Sequence, residues 1–182
     1  MTWIIIGGII VVLAIIFIYY YNRFAILTNR IENSLSQIDV QLRKRADLVP
    51  NLIETVKGYA KHEKGIMEKV TEARKALVGA KDFAGRMKAG NVLENALGKL
   101  FAIAENYPQL KANENFLQLQ QELAAIEDKI AYSRQFYNDS ILGYNNLHQT
   151  FPGSFFASLY GKKKKDYLQI PEATRALPKV SF

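Results

Sequence analysis

The first 21 residues form an uninterrupted apolar segment without a charged side chain. About 20 apolar residues are enough to span a bilayer core of roughly 30 Å. Trp3 lies near one end and Tyr19, Tyr20 and Tyr21 lie at the other, so about 26 Å of helix separates two aromatic belts. A cleaved signal peptide fits less well, because the segment has no charged n-region and no A-x-A site. The pattern predicts an uncleaved transmembrane anchor.

Small residues inside this segment offer a face for close contact between helices. Gly7 and Gly8 are adjacent, and Ala14 follows Gly7 by seven residues, which is about two helical turns. No G-x-x-x-G motif is present. Gly7 and Ala14 therefore indicate self-association of the span as a hypothesis.

Apolar residues then continue at steps of three and four, which is the spacing of one helical face. The stripe consists of Phe24, Leu27, Ile31, Leu35, Ile38, Leu42, Ala46 and Val49. Nothing after Tyr21 breaks the pattern, so the membrane helix is expected to continue into this one. Pro50 either ends the helix, kinks it or opens a second helix in its first turn.

Similar stripes predict three further helices. One begins after Pro50 and ends near Leu77, a second covers residues 92–104, and the longest covers about 113–149, while residues 79–90 read as a loop. No strand-like alternation of useful length appears. The prediction is an all-α fold in which the transmembrane helix continues into an antiparallel four-helix bundle. The expected divisions are residues 1–21 (anchor), 22–150 (bundle) and 151–182 (tail).

Composition narrows the chemistry of this 182-residue chain. It has no cysteine, which excludes disulfides, thiol catalysis and cysteine-ligated metals. His62 and His148 are its only histidines, and neither lies in an H-E-x-x-H or Glu-x-x-His motif. Phosphate-binding and nucleophile-elbow motifs are absent as well. We therefore expect no catalytic residues, no metal and no cofactor.

Orientation follows from the charges that flank the span. Only the α-amine precedes it, whereas Arg23 and Arg30 follow it. The positive-inside rule then predicts a short N-terminus outside the cell and a cytoplasmic helical bundle at the inner (plasma) membrane.

Two Tyr-Asn pairs lie two helical turns apart on the longest predicted helix. Tyr137-Asn138 and Tyr144-Asn145 predict a helix–helix seam whose buried phenols and amides are hydrogen-bonded. A polar ligand site inside the bundle is the alternative interpretation. Arg134 precedes Tyr137 by three positions and is expected to form an ion pair with an aspartate of the first helices.

Charged residues also cluster before the proline. The cluster contains Asp39, Arg43, Arg45, Asp47 and Pro50, and the candidate partners of Arg134 within it are Asp39 and Asp47. Asp47 is expected to cap the backbone at the break. A fixed network between helices and a surface for a protein partner remain as alternative interpretations of this cluster.

Aromatic residues stand directly before a lysine run near the C-terminus. The predicted membrane-interface residues are Phe155, Phe156, Leu159, Tyr160, Lys162, Lys163, Lys164 and Lys165. Aromatics beside lysines are typical of segments that bind anionic membrane surfaces. The alternative is that the phenylalanines close the base of the bundle and the lysines are simply solvated. Four lysines without a wider basic face do not predict nucleic-acid binding.

Two stretches resemble the LemA family of bacterial membrane proteins. One is DVQLRKRADLVPNLIETVKGYAKHE (residues 39–63), and the other contains AENYPQLKANENFLQLQQEL, RQFYND, GYNNL and FPGSFFA (residues 104–157). The resemblance implies an N-terminal anchor, a helical-bundle domain and a short extracytoplasmic N-terminus. It implies no reaction, and it does not cover the lysine run.

These features together predict a non-catalytic, single-pass membrane protein. We expect a homo-oligomeric scaffold that organises membrane or partner proteins, with the lipid bilayer as a partner and no small-molecule substrate. The alternative function is a receptor-like module that binds a soluble protein or peptide. The sequence does not identify such a partner.

Overall fold

The computed structural model describes residues 1–168, and these residues form six α-helices. Their bounds are α1 Thr2–Tyr59, α2 Lys64–Gly79, α3 Phe83–Ala104, α4 Pro108–Lys111, α5 Glu114–Gln149 and α6 Gly153–Leu159. No residue in this described part is in a β-strand. The prediction of an all-α fold with an N-terminal apolar helix is confirmed. The antiparallel four-helix arrangement stays a prediction, as do the three expected divisions, of which the last extends beyond the described residues.

Helix α1 continues from the apolar segment through Pro50 without a break. Its N-terminal part is long and apolar enough to cross a membrane, and no residue of that window is buried. In contrast, Phe24, Ile38 and Leu42 further along the helix are fully buried. The change from an apolar helix exposed all round to an amphipathic one therefore occurs near Tyr21.

An arginine from another helix explains how Pro50 is accommodated inside α1. A proline has no N–H, so the carbonyl of Ala46, four residues earlier, receives no hydrogen bond from position 50. The Arg74 Nε of α2 donates to this carbonyl at 2.8 Å. Because Pro50 does not end the helix, the expected backbone cap by Asp47 is wrong: there is no helix end at that position to cap, and Asp47 is exposed.

The contacts divide the chain into two compact units, a terminal unit (Met1–Leu35 and Arg134–Phe182) and a central unit (Ser36–Ser133). The core of the terminal unit joins the part of α1 that follows the apolar segment, the end of α5 and α6. Its buried residues are Phe24, Leu27, Ile31, Ile141, Tyr144, Phe156 and Ala157, with Tyr20, Tyr137, Leu147 and Tyr160 packed against them.

The central unit contains the rest of α1, all of α2 to α4 and the start of α5. Helices α2 and α3 pack along each other. The apolar stripe of α1 supplies Leu42, Val49 and Leu52 to the core, and Leu93, Leu100 and Ile130 of α3 and α5 are also fully buried. Phe101 of α3 meets Phe116 of α5 edge to face, with ring centroids 5.9 Å apart.

The predicted loop over residues 79–90 is wrong for most of its length. Only residues 80–82 are non-helical. Helix α3 begins directly after them, because Asp82 caps it: the Asp82 Oδ1 accepts a hydrogen bond from Gly85 N at 2.6 Å. Gly90 is explained by helix packing and not by a loop. A Cβ there would lie 2.7 Å from Leu42 Cδ2, so Gly90 lets α3 approach α1 closely.

Candidate functional site

Two asparagines of α5 hold an extended segment, residues 162–168, along the helix in the terminal unit. Asn145 donates from Nδ2 to Lys165 O at 2.9 Å and accepts from Lys165 N at 3.0 Å. Asn138 makes the same two contacts with Leu168, at 3.4 and 3.0 Å. Seven helical residues and three extended residues both span about 10 Å, so the spacings match. We call this arrangement the asparagine ladder.

The tyrosines that precede these asparagines face the core instead. Tyr144 is buried and meets Phe24 edge to face, with centroids 5.7 Å apart. Tyr137 is half-buried, and burial together with the nearby Asp166 carboxylate raises the pKa of its phenol. The amides therefore bond to the main chain of the same chain's C-terminal segment, a partner that the sequence analysis did not identify. His148 Nε2 lies 3.1 Å from Lys162 O and adds a third contact to this segment.

We expect Asn145→Ala to release the main chain at position 165. Two hydrogen bonds of about 0.5–1.5 kcal/mol each would be lost, which corresponds to roughly tenfold faster hydrogen exchange at the Lys165 amide, or more. The matched control is Asn146→Ala, because Asn146 is exposed. Equal exchange rates at Lys165 in the two variants would show that the ladder does not hold the segment.

Helix α6 packs on the last turns of the apolar part of α1. Phe156 stacks on Tyr20 with centroids 4.6 Å apart, and Tyr160 meets Phe17 edge to face at 5.1 Å. The Tyr160 hydroxyl donates to the Phe17 carbonyl at 2.7 Å. Of the predicted interface residues, Phe156 is thus in the core, whereas Phe155, Leu159, Lys163 and Lys164 are exposed. Lys162 and Lys165 are half-buried.

Arg45 is the centre of a polar network inside the central unit. Its side chain is 2% exposed and forms ion pairs with Glu127 of α5 and, at 3.8 Å, with Glu94 of α3. Its Nη1 also lies 3.3 Å from Gly90 O. A cavity of about 260 Å³ adjoins Arg45, Glu94 and Glu127. These contacts connect α1, α3 and α5 through one guanidinium.

The other predicted charged residues lie elsewhere. Asp39 forms ion pairs with Arg86 of α3 and, at 3.4 Å, with Arg43, whose side chain is 73% exposed. Arg134 is half-buried in the terminal unit. In the span, Trp3, Gly7, Gly8 and Ala14 are exposed, as are Tyr19 and Tyr21, and a Cβ at Gly7 or Gly8 would meet nothing within 4 Å.

Several partners escaped the sequence analysis. The sequence analysis did not single out Glu127 or Arg74, and only the structure shows their contacts with Arg45 and with the Ala46 carbonyl. Gly153 had no visible signal except its place after the proline in FPGSFFA. Within the described residues, no group of three or more histidine, aspartate or glutamate side chains is placed to hold a metal ion.

The chain was compared with known proteins. It is 26% identical over 173 residues to the magnetosome protein MamQ of Magnetospirillum gryphiswaldense, covering 81% of this chain and 64% of that protein. It is 25% identical over 175 residues to the magnetosome protein MamQ 2 of Paramagnetospirillum magneticum, covering 82% and 64%. The protein LemA of Metamycoplasma hominis is 27% identical over 124 residues, covering 68% and 57%. The matches thus cover less than two thirds of these relatives.

A family model gives the assignment. The model of the LemA family matches residues 34–182, which is most of the chain and includes both the Arg45 network and the asparagine ladder. Family membership and the exposed apolar helix together fit a membrane protein. The chain belongs to the LemA family.

Proposed function

We propose that this protein is a non-catalytic, single-pass membrane scaffold that assembles with copies of itself and organises membrane or partner proteins. The observation that carries the proposal is that α1 continues from the exposed apolar segment directly into the helical core of the terminal unit, at Phe24, Leu27 and Ile31. Within this unit, no flexible linker separates the anchor from the helices that pack beside it. Two relatives, the MamQ proteins, are named as magnetosome proteins, and a membrane-associated role of this chain is consistent with that.

The antiparallel four-helix bundle is part of this proposal for the central unit. Arg45 connects α1 to α3 and α5, and Arg74 connects α2 to α1. Residues 80–82 form a short connection between α2 and α3, and short connections are typical of antiparallel neighbours. These contacts support a bundle of four helical segments.

The test of the scaffold is the mass of the full chain in mild detergent, measured by light scattering after gel filtration. We expect a discrete assembly of several subunits. Gly7→Leu should reduce its mass, because a large side chain would prevent close approach on the face shared with Ala14. Gly8→Leu is the matched control, since position 8 points about 100° away on the helix. A monomer in the unmodified protein would contradict the scaffold.

The second candidate function is a receptor-like module for a soluble protein or peptide. A groove of about 550 Å³ in the central unit favours it, lined by polar groups that include Asn51, Glu54, Gln118 and Glu122. Two carboxylates among neutral amides suit a basic peptide. A monomeric particle with a specific co-purifying partner would support this function over the scaffold.

The proposed orientation places the N-terminus outside and the helical units in the cytoplasm. Arg23 and Arg30 on the C-terminal side of the span support it. Because the chain contains no cysteine, a single Lys163→Cys variant gives an unambiguous label at an exposed site. In intact spheroplasts we expect no reaction with an impermeant maleimide, and reaction after lysis. Labelling of intact spheroplasts would show the opposite orientation, with position 163 outside the cytoplasm.

A further inference from the structure

One side of α6 is apolar and exposed. Phe155 and Leu159 lie four residues apart on α6 and are 62% and 57% exposed, and Phe151, in the turn before α6, is 87% exposed. On the opposite side, Phe156 and Ala157 are buried in the core of the terminal unit. The side of α6 that carries Phe155 and Leu159 is therefore directed away from this core and presents two large apolar side chains, next to the exposed Phe151.

The position of α6 identifies what covers this side. The Tyr160 hydroxyl bonds to the Phe17 carbonyl, and Phe17 lies four residues before Tyr21, which is about 6 Å towards the apolar end of α1. Phe156 also stacks on Tyr20. A bilayer that surrounds α1 up to its tyrosines must therefore also reach α6. The exposed face of α6 therefore belongs to a helix that packs on the tyrosine end of the apolar segment.

Positive charge is fixed beside this face. Lys162 follows Tyr160 by two residues, and contacts from His148 and Asn145 hold the main chain at positions 162 and 165. Lys163 and Lys164, between these two points, are exposed. The lysines are thus held close to the tyrosine end of the span, where lipid phosphates lie.

We propose that α6 and the lysines at positions 162–165 form a second membrane contact, which inserts Phe151, Phe155 and Leu159 into the leaflet next to α1 and binds anionic lipid headgroups. The occupant of the surface is the bilayer that surrounds α1. This proposal rests on the proposed membrane anchor, but on neither the oligomeric state nor the orientation. It gives the chain a preference for anionic lipid that a single apolar helix would lack.

The insertion is tested with the full chain in lipid nanodiscs that contain phospholipids with brominated acyl chains, which quench tryptophan. In a Trp3→Phe background, Phe155→Trp should lose most of its fluorescence. Gln135→Trp is the matched control: Arg30 lies 4.7 Å above the ring of the neighbouring Phe136, and Arg30 is about 13 Å beyond Tyr21 along α1. Position 135 should therefore keep its fluorescence. Equal quenching at positions 135 and 155 would overturn the insertion.

Trp3 separates the two proposals. In the unmodified chain it is the single tryptophan, and quenching of Trp3 reports insertion of α1 itself. If Trp3 is quenched and Phe155→Trp is not, the second contact is wrong and the anchor stands. If Trp3 is not quenched, the anchor fails and the second contact fails with it.

The lysines are tested by comparing brominated phosphatidylglycerol with brominated phosphatidylcholine at equal mole fraction. At low salt, phosphatidylglycerol should quench Phe155→Trp more strongly, because it is enriched around the lysines. Replacing all four lysines with glutamine should abolish the difference, and replacing them with arginine should retain it. The ladder contacts only main-chain atoms of residues 165 and 168, so neither set removes its bonds. An unchanged preference in the glutamine variant would overturn the role of the lysines.

Discussion

Arg45→Met should destabilise the protein by about 1–3 kcal/mol, because it leaves the Gly90 carbonyl and the Glu127 carboxylate, whose side chain is 37% exposed, without their buried cationic partner. The guanidinium is almost fully buried, and it also contacts Gly90 O and Glu94. Because the Glu127 side chain is 37% exposed, water solvates part of the carboxylate after the substitution and limits the cost. Chemical unfolding in mild detergent, followed by circular dichroism, measures the loss.

The double variant Arg45→Met with Glu127→Leu should recover part of this loss, because only the Glu94 carboxylate, whose side chain is 41% exposed, then remains without its cationic partner. Arg43→Met is the matched control: its side chain is largely exposed, its ion pair with Asp39 is on the surface, and the expected change is within about 1 kcal/mol. Equal losses for Arg43→Met and Arg45→Met would contradict the structural role of the network.

Gly153→Ala should detach α6 from the end of α5. A Cβ at this position would collide with the carbonyl oxygen of Leu147, which is a backbone atom and cannot rotate away. Overpacking of this kind costs about 1–3 kcal/mol, and here it acts on a helix of seven residues. We expect faster proteolysis and faster hydrogen exchange over residues 151–161.

Gly98→Ala is the control for the glycine prediction and should have the opposite sign. A Cβ at position 98 meets nothing within 4 Å, and the residue lies inside α3. Replacing a helical glycine with alanine stabilises by about 0.5–1 kcal/mol. Protection of α6 in Gly153→Ala that matches the unmodified protein would show that the end of α5 can move to accept the methyl group.

Most helices could be predicted from the sequence because burial follows their periodicity, but the helix expected from Pro50 to near Leu77 is wrong, since α1 continues through Pro50 to Tyr59 and α2 begins at Lys64. The stripe from Phe24 to Val49 is buried at seven of its eight positions, and the helix predicted over about 113–149 matches α5 to within one residue at each end. Glycines were a weaker guide. Gly90 was interpreted as part of a loop, but it allows close packing of two helices. A single sequence does not distinguish a loop glycine from a glycine at a helix contact.

The site was less predictable because its contacts are non-local. The Tyr-Asn pairs stood out at once, but amides that bond to main-chain atoms leave no complementary pattern in the segment they hold. Likewise, nothing near Arg45 in the sequence indicates Glu127, which is 82 positions away along the chain. The buried apolar faces of the helices could be predicted from the sequence. The partners of the polar side chains could not, because they depend on how the helices pack against one another.

Pro50 also helps to fix the position of α2 along α1. It leaves the Ala46 carbonyl of α1 available to a donor from outside the helix, and Arg74 supplies that donor. If α2 docked one turn higher or lower, the arginine would miss this carbonyl, and an unsatisfied buried carbonyl costs about 1–3 kcal/mol. A residue that weakens its own helix by one hydrogen bond thereby distinguishes the native docking of its neighbour from the shifted ones.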